Sequence, residues 1–401
     1  MMEYRHVRTV VAGVTLAALA SVPGTSFATP DGPWVTPQQT ISLQAFMDYE
    51  ELTRRLQSIA RSSRGALQIE SIGTSGEGRD IWLARIGDAD KPAVLIFTQQ
   101  HGDEPHGTEA MLDLARFLAT GSRAADRILD EIQVLIIPRV NPDGAELPTR
   151  GNTDFTAEPR DTGQCPAAGG SDDDGKGIFS TRFRDTELYS YDINRYHWPV
   201  WEESWQYLCN VEGGVPLYPT NPVPEALAVL DTYERYQPIW ALDIHNQGFN
   251  VVDPEQCAAD DACRPGRYVT GSVLWPTNEN VDSDAVELSK QMALVMKERS
   301  QELGNVELTR YDGGDFPGIA RNAYGLLGGG SVLFEVAGQI EGSPSINNGQ
   351  KAIGKLVNGV RKLVSSLLEA TADGTLYERD ADRAETVILD NDVSLPNPRL
   401  D

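Results

Sequence analysis

The chain has 401 residues, 40% of them apolar and 23% charged, and a formal net charge of −25. This composition supports a substantial folded core. The charge argues against nucleic acid or an anionic membrane surface as the main partner; it favours solubility and attraction of cationic substrates, and says nothing about fold.

The first residues read as a targeting signal. Arg5 and Arg8 form a basic start, Thr9 to Val22 a short apolar run, and Ser26-Phe27-Ala28 a small-x-small cleavage site. The apolar run is too short for a good membrane span. A signal peptide over residues 1–28 is expected, with the mature chain secreted or periplasmic and without stable membrane association. Residues 39–61 hold a helical pattern, with Leu52, Leu56 and Ile59 on one face. The stretches ALQIESIG and RDIWLARIG, joined by TSGEG, predict a hairpin. The run AVLIF (93–97) predicts a buried strand. After it come a polar turn holding His101 and Glu104 and a helix with Met111, Leu114 and Leu118 at i, i+3 and i+7. A further strand, EIQVLIIPRV, ends at the turn Asn141-Pro142-Asp143-Gly144.

From about 151 to 190 the periodicity disappears, which predicts a long surface insertion. Its SDDDGKG cluster lacks the spacing of an EF-hand loop and reads as solvated chain. Regular structure resumes with YDINRYHWP, then a helix (PEALAVLDTYERY), the strand PIWALDIHN and a helix over 284–303. A Gly-rich loop, the strand SVLFEVAG and a long helix through Ile353, Leu356, Val360, Leu363 and Leu367 complete the pattern. The alternation predicts an α/β fold: one domain over 29–375, with a mixed, mostly parallel central sheet and helices on both faces. Residues 376–401 are expected to form an extended acidic tail. Four cysteines in an exported chain read as disulfides; proximity favours Cys257–Cys263 and leaves Cys165–Cys209. No CxxC pair is present, so a Cys-based zinc site is not expected.

Four polar signals stand at or beside the ends of apolar strands: His101 with Glu104, the Asn141 turn, His245 and Glu335. In open α/β sheets ligands bind outside the carboxyl ends of strands. His and Glu three apart on a strand-to-helix turn can direct a nitrogen and an oxygen at one point, and such a pair suits zinc if a third donor arrives from elsewhere. His6 lies in the signal, leaving His106, His197 and His245 as candidates, and only His245 is both at a strand end and far along the chain. His106, at the start of the helix, is expected to be exposed or to serve the helix N-terminus. Glu335, between Phe334 and Val336, is either half of a buried ion pair or a general base whose pKa is raised by apolar surroundings.

Taken together, HGDE (101–104), NPDG (141–144), Thr149-Arg150, DINR (192–195), His245 and FEV around Glu335 stand in the order seen in the M14-type zinc metallocarboxypeptidases, which this chain resembles from about 45 to 370. The resemblance implies one Zn²⁺ per chain on His101, Glu104 and His245, with Asp192 hydrogen-bonded to a ligand histidine. It implies Glu335 as general base and then acid, Arg150 polarising the scissile carbonyl, and Asn194 and Arg195 holding the free C-terminal carboxylate of a peptide. An active-site tyrosine is expected before Glu335; Tyr311 is the candidate, two residues off the family spacing, and Tyr324 matches a different, structural tyrosine. Asp103 stands where digestive members carry Arg, and Asp312, Asp315 and Arg321 lie in the loop that shapes the side-chain pocket. The implied protein is a monomeric, exported carboxypeptidase. The alternatives are a zinc-dependent deacylase or murein-peptide amidase on the same fold, and a catalytically inert binding module.

Overall fold

The runs at 93–98 and 133–137 show no polar alternation because the sheet they join is covered on both faces. The computed structural model describes residues 46–157, 180–183, 186–209, 211–248, 250, 252, 269–338 and 350–390. The signal segment, the cysteine side chains, most of the expected insertion (158–179) and residues 391–401 lie outside the described residues.

The first helix, α1 (Tyr49–Ser62), is capped by Asp48, whose side chain accepts from Glu51 N–H; it buries Leu52 and Leu56. The hairpin expected next is β1 (Leu67–Thr74) with β2 (Asp80–Ile86). Then follow β3 (Ala93–Thr98), α2 (His106–Ala119), α3 (Arg123–Leu129), β4 (Gln133–Ile137) and a short α4 (Pro142–Glu146). In the stretch expected to be irregular, β5 (Ser180–Arg182) and β6 (Tyr189–Tyr191) form a two-stranded ladder. Next come α5 (Trp205–Cys209), the pair β7 (Val211–Glu212) and β8 (Val215–Pro216), α6 (Pro224–Tyr236), β9 (Trp240–Gln247) and β10 (Gly271–Leu274). The chain continues through α7 (Ser283–Leu303), β11 (Leu308–Arg310), α8 (Ala320–Leu326), β12 (Gly330–Ala337) and α9 (Gln350–Ala372).

The eight-stranded sheet runs β1-β2-β4-β3-β9-β12-β10-β11, and its four central strands are mutually parallel. Alternate residues of β3 serve two cores. Val94 and Ile96 face the layer of α1, α2, α7 and α9; Leu95 and Phe97 face α6 and α8. Because the central strands are parallel, β3, β4, β9 and β12 all end at one edge, which is where the polar signals of the sequence fall. No helix among the described residues is long and apolar enough to cross a membrane.

The segment after α9 departs from the expected extended tail. Leu376, Ala384 and Ile388 are buried in the larger core, and Arg310 N–H donates to Leu389 O at 2.7 Å. Arg310 also forms ion pairs with Glu385 and Asp390. Short 3₁₀ turns and a four-residue helix, Ala384–Val387, place these apolar anchors singly, so they leave no helical stripe for a periodicity argument to find.

Candidate active site

The turn after β3 is set by Gln99, which has φ of 54° in the left-handed region, unusual for a residue with a side chain. Its amide locks the bend: Nε2 donates to Gly102 O (2.8 Å), and Oε1 accepts from Thr108 Oγ1 (2.5 Å) and Arg139 Nε (2.8 Å). Gly102 then lies backbone to backbone with Gly144, where an added Cβ would stand 2.0 Å from Gly144 C. The Asn141 turn is therefore a clamp. Asn141 accepts from Gly144 N–H (2.8 Å) and donates to Gln100 O and to Gly151 O, next to Arg150. Asp143 accepts from Ser75, Glu77 N–H and Arg79. Gly102→Ala is expected to destabilise the fold by about 2–3 kcal/mol, since backbone rather than a flexible side chain would have to move. An unchanged Tm would contradict this contact.

His101 Nδ1, Glu104 and His245 Nδ1 converge. His101 Nδ1 lies 2.9 Å from Glu104 Oε1 and 3.0 Å from His245 Nδ1, and His245 Nδ1 lies 2.8 Å from Glu104 Oε2. All three residues are buried, and their donor atoms lie within 4.8 Å of one another. Two imidazole nitrogens facing each other across a carboxylate, sealed from water, fit a cation between them. A two-nitrogen, one-oxygen set leaving a position open is a common zinc environment. Burial disfavours charge on both rings, yet Glu104 and Asp192 beside His101, and Asp243 and Glu104 beside His245, more than offset it, so both hold a proton more readily than free imidazole. A bound cation would take the place of that proton.

The outward nitrogens are held as well. His101 Nε2 meets Asp192 Oδ1 at 3.1 Å, and His245 Nε2 meets Asp243 Oδ2 at 2.9 Å. Asp243 had no part in the sequence reading. It sits two residues before His245 on the same strand and hence the same face, a period-two signal that was available. Gln100 Nε2 donates to Asp243 Oδ2 (2.6 Å), and Gln100 Oε1 accepts from His197 Nε2 (2.9 Å). His197 Nδ1 in turn accepts from the Tyr324 hydroxyl (2.8 Å). Burial pushes the His197 pKa down to about 4, so the ring is neutral, as this chain of bonds requires. Asp243→Asn is expected to weaken zinc binding about 10- to 100-fold, read by competition with a chelating dye; wild-type affinity would rule out an orienting role.

Glu335 stands directly across the ladder from His245 in the β12–β9 register, 7% exposed. Arg150 donates through Nε and Nη2 to Asp192 Oδ2, both at 3.1 Å, and its Nη1 lies 3.8 Å from Glu104 Oε1. Asp192 thus joins a ligand histidine to this arginine. Asn194 accepts from Ala320 N–H (2.9 Å), with its Nδ2 3.5 Å from His245 Nε2. Arg195, partly exposed, donates to Asn194 O and lies 3.8 Å from Asp192 Oδ2. Tyr311 follows β11, its N–H donating to Val273 O (2.9 Å), and the charge of Glu335 raises its hydroxyl pKa, ahead of burial. His106 differs from expectation. It is fully buried in the first turn of α2, with Nδ1 2.7 Å from Asn246 Nδ2 and its ring edge-on to Phe46.

A sheet whose parallel strands present two histidines, a glutamate and a second, buried carboxyl at one edge has the layout of a metal-dependent hydrolase. The zinc carboxypeptidase family profile matches residues 52–315, and the chain belongs to that family. Zinc is the family's metal, and a His–Glu–His site for it is present. Human carboxypeptidase D is 30% identical over 115 residues, 26% of this chain and 8% of its own length. Carboxypeptidase B of Astacus astacus is 29% identical over 102 residues, 25% of this chain and 34% of its own length. The matched stretch is thus a small part of these relatives. Carboxypeptidase A of Helicoverpa armigera superposes with a TM-score of 0.56 at 18% identity, over 84% of this chain and 76% of that one. A metallo-carboxypeptidase of Burkholderia cenocepacia gives 0.51 at 16% identity, over 82% and 70%. These two likenesses establish the fold.

Proposed function

We propose that this chain is an exported, monomeric zinc carboxypeptidase that removes the last residue of peptides bearing a free C-terminus. The observation that carries the reading is the pairing of Glu335 with His245 across adjacent strands, which sets a buried carboxyl beside the His–Glu–His donors. Zinc, when bound by His101, Glu104 and His245, supplies Lewis acidity and a water of lowered pKa. Glu335 takes the proton of the attacking water and delivers it to the departing amine, so one water is consumed and a carboxylate and an amine are released. Arg150, held in place by Asp192, presents fixed positive charge to the oxyanion that develops at the scissile carbonyl. Arg195 and the Asn194 amide bind the terminal carboxylate, and the Tyr311 hydroxyl closes over the substrate. Asp192 and Asp243 fix the rings of the two ligand histidines.

The test uses purified mature protein, with and without chelator, on peptides with free and amidated C-termini. Release of the last residue only from free ends, abolished by chelation, is expected. Arg195→Ala is expected to lower kcat/KM on free ends by about 100-fold, the loss of a charge-assisted contact, with a far smaller effect on blocked ends. Equal losses on both would favour a deacylase or murein-peptide amidase. Export rests on the basic and apolar pattern of residues 1–28, and N-terminal sequencing of the extracytoplasmic protein should begin near Thr29.

A further inference from the structure

Arg321, on α8, is a buried guanidinium that no step above uses. It is 2% exposed and, among the described residues, belongs to no ion pair. Both of its hydrogen bonds leave from Nη2, to Gly314 O and to Thr277 Oγ1 (3.2 Å), while Nε has no partner. Arg139, buried to the same degree, has Glu146 at 3.6 Å. An unpaired buried cation is costly unless an anion comes to it.

The surroundings say where that anion arrives. Ala320 N–H, one residue before Arg321 on α8, donates to Asn194 Oδ1 (2.9 Å), and Gly318 packs against Arg195 O, so the start of α8 borders the residues proposed to hold the α-carboxylate. The charges of Arg195, Tyr311, Asp243 and Glu335 act on the guanidinium there. Arg195 repels it; Asp243 is already engaged by His245 and Gln100. Burial pushes the Arg321 pKa down to about 10, so it is charged at neutral pH. The loop before α8 runs close against the guanidinium. A Cβ at Gly313 would stand 2.8 Å from Leu274 Cδ2 and 3.1 Å from Arg321 Nη2. The two acids of that loop, Asp312 and Asp315, are both exposed and leave the guanidinium unneutralised.

We propose that Arg321 is the specificity residue of the pocket, selecting peptides that end in glutamate or aspartate: its guanidinium receives the side-chain carboxylate while Arg195 and Asn194 receive the α-carboxylate. This rests on the carboxypeptidase reading and adds the substrate class to it. Two guanidiniums with mutual repulsion are best satisfied by a ligand with two carboxylates, and an acidic terminal residue is such a ligand. The overall charge of −25 does not oppose this, because salt screens exposed charge beyond about 8 Å while the buried Arg321 and the partly exposed Arg195 act at contact.

The experiment compares kcat/KM on peptides differing only in the last residue, glutamate against glutamine and aspartate against asparagine. It also compares calorimetric binding of free L-glutamate and L-glutamine to the zinc-loaded protein. The expected result is a preference of at least about 100-fold for the acid, since a site built for a charged group rejects its neutral isostere. Arg321→Gln should bring the ratio close to one. If that variant fails to fold, the wild-type ratios decide. Equal handling of acid and amide, or a preference for basic or aliphatic ends, would overturn the assignment and leave the carboxypeptidase intact. Preferential glutamate binding without hydrolysis of any peptide would uphold the pocket and overturn the enzyme.

Discussion

Glu335→Gln is expected to leave zinc binding at one ion per chain while lowering kcat/KM by about 10³-fold. The substitution keeps shape and hydrogen-bonding capacity and removes only the ability to take a proton. Burial is the first cause of its perturbed pKa; Glu104 raises it further, and the two histidines and Arg150 oppose that, with the result near 7 against an ordinary 4.5. The sign follows directly. The base works only when ionised, so activity falls as pH falls through the pKa of the folded enzyme. A dication on the neighbouring donors stabilises the carboxylate, so the acid limb of kcat/KM should lie between about 4.5 and 7. The Gln variant should lose that limb along with its rate. Retention of more than a tenth of wild-type activity, with the limb unchanged, would remove Glu335 from the reaction.

His245→Ala is expected to abolish zinc retention and activity together. His101 and Glu104 come from one turn, whereas His245 arrives from β9, so its loss opens the set to two donors on a single segment. The effect should also be visible without substrate. Metal bound only to the folded state stabilises by about 4 kcal/mol when free zinc exceeds its Kd a thousandfold. For a domain of this size that is a Tm increase of roughly 5–10 °C. Wild type should show the increment and lose it on chelation; the variant should show none. An equal zinc-dependent shift in both would place the metal elsewhere.

Why these two residues could be picked out beforehand is physical. The central strands are buried on both faces, so they read as unbroken apolar runs, and a polar residue near their ends conflicts with its setting. Glu335 between Phe334 and Val336, and His245 after Trp240-Ala241-Leu242, are such conflicts. Asp243 is the same kind of signal, hidden because the eye stops at the histidine two residues on. The Asn141 turn looked like part of the chemistry and is a scaffold, since its side chain closes the turn on Gly144 N–H and ties it to the backbone of two other segments, at Gln100 and Gly151. His106 looked peripheral and is buried, because its placement follows from the left-handed bend at Gln99, which no periodicity reveals. Tyr311 misses the family spacing, and its part in the proposed function rests on its place after β11 and on the charge of Glu335, which raises its hydroxyl pKa.

The folded end of the chain carries a practical consequence. Arg310, gripped by Leu389, Glu385 and Asp390, is the residue immediately before Tyr311. A protein clipped after residue 374 would retain His101, Glu104 and His245 with the proposed base and the proposed substrate arginines, yet the core would lose Leu376, Ala384 and Ile388, and β11, next to Tyr311, would lose its outer brace. Trimming what reads as a dispensable acidic trailer would thus yield a metal-competent enzyme with slackened substrate capture, easily mistaken for an intrinsically poor catalyst.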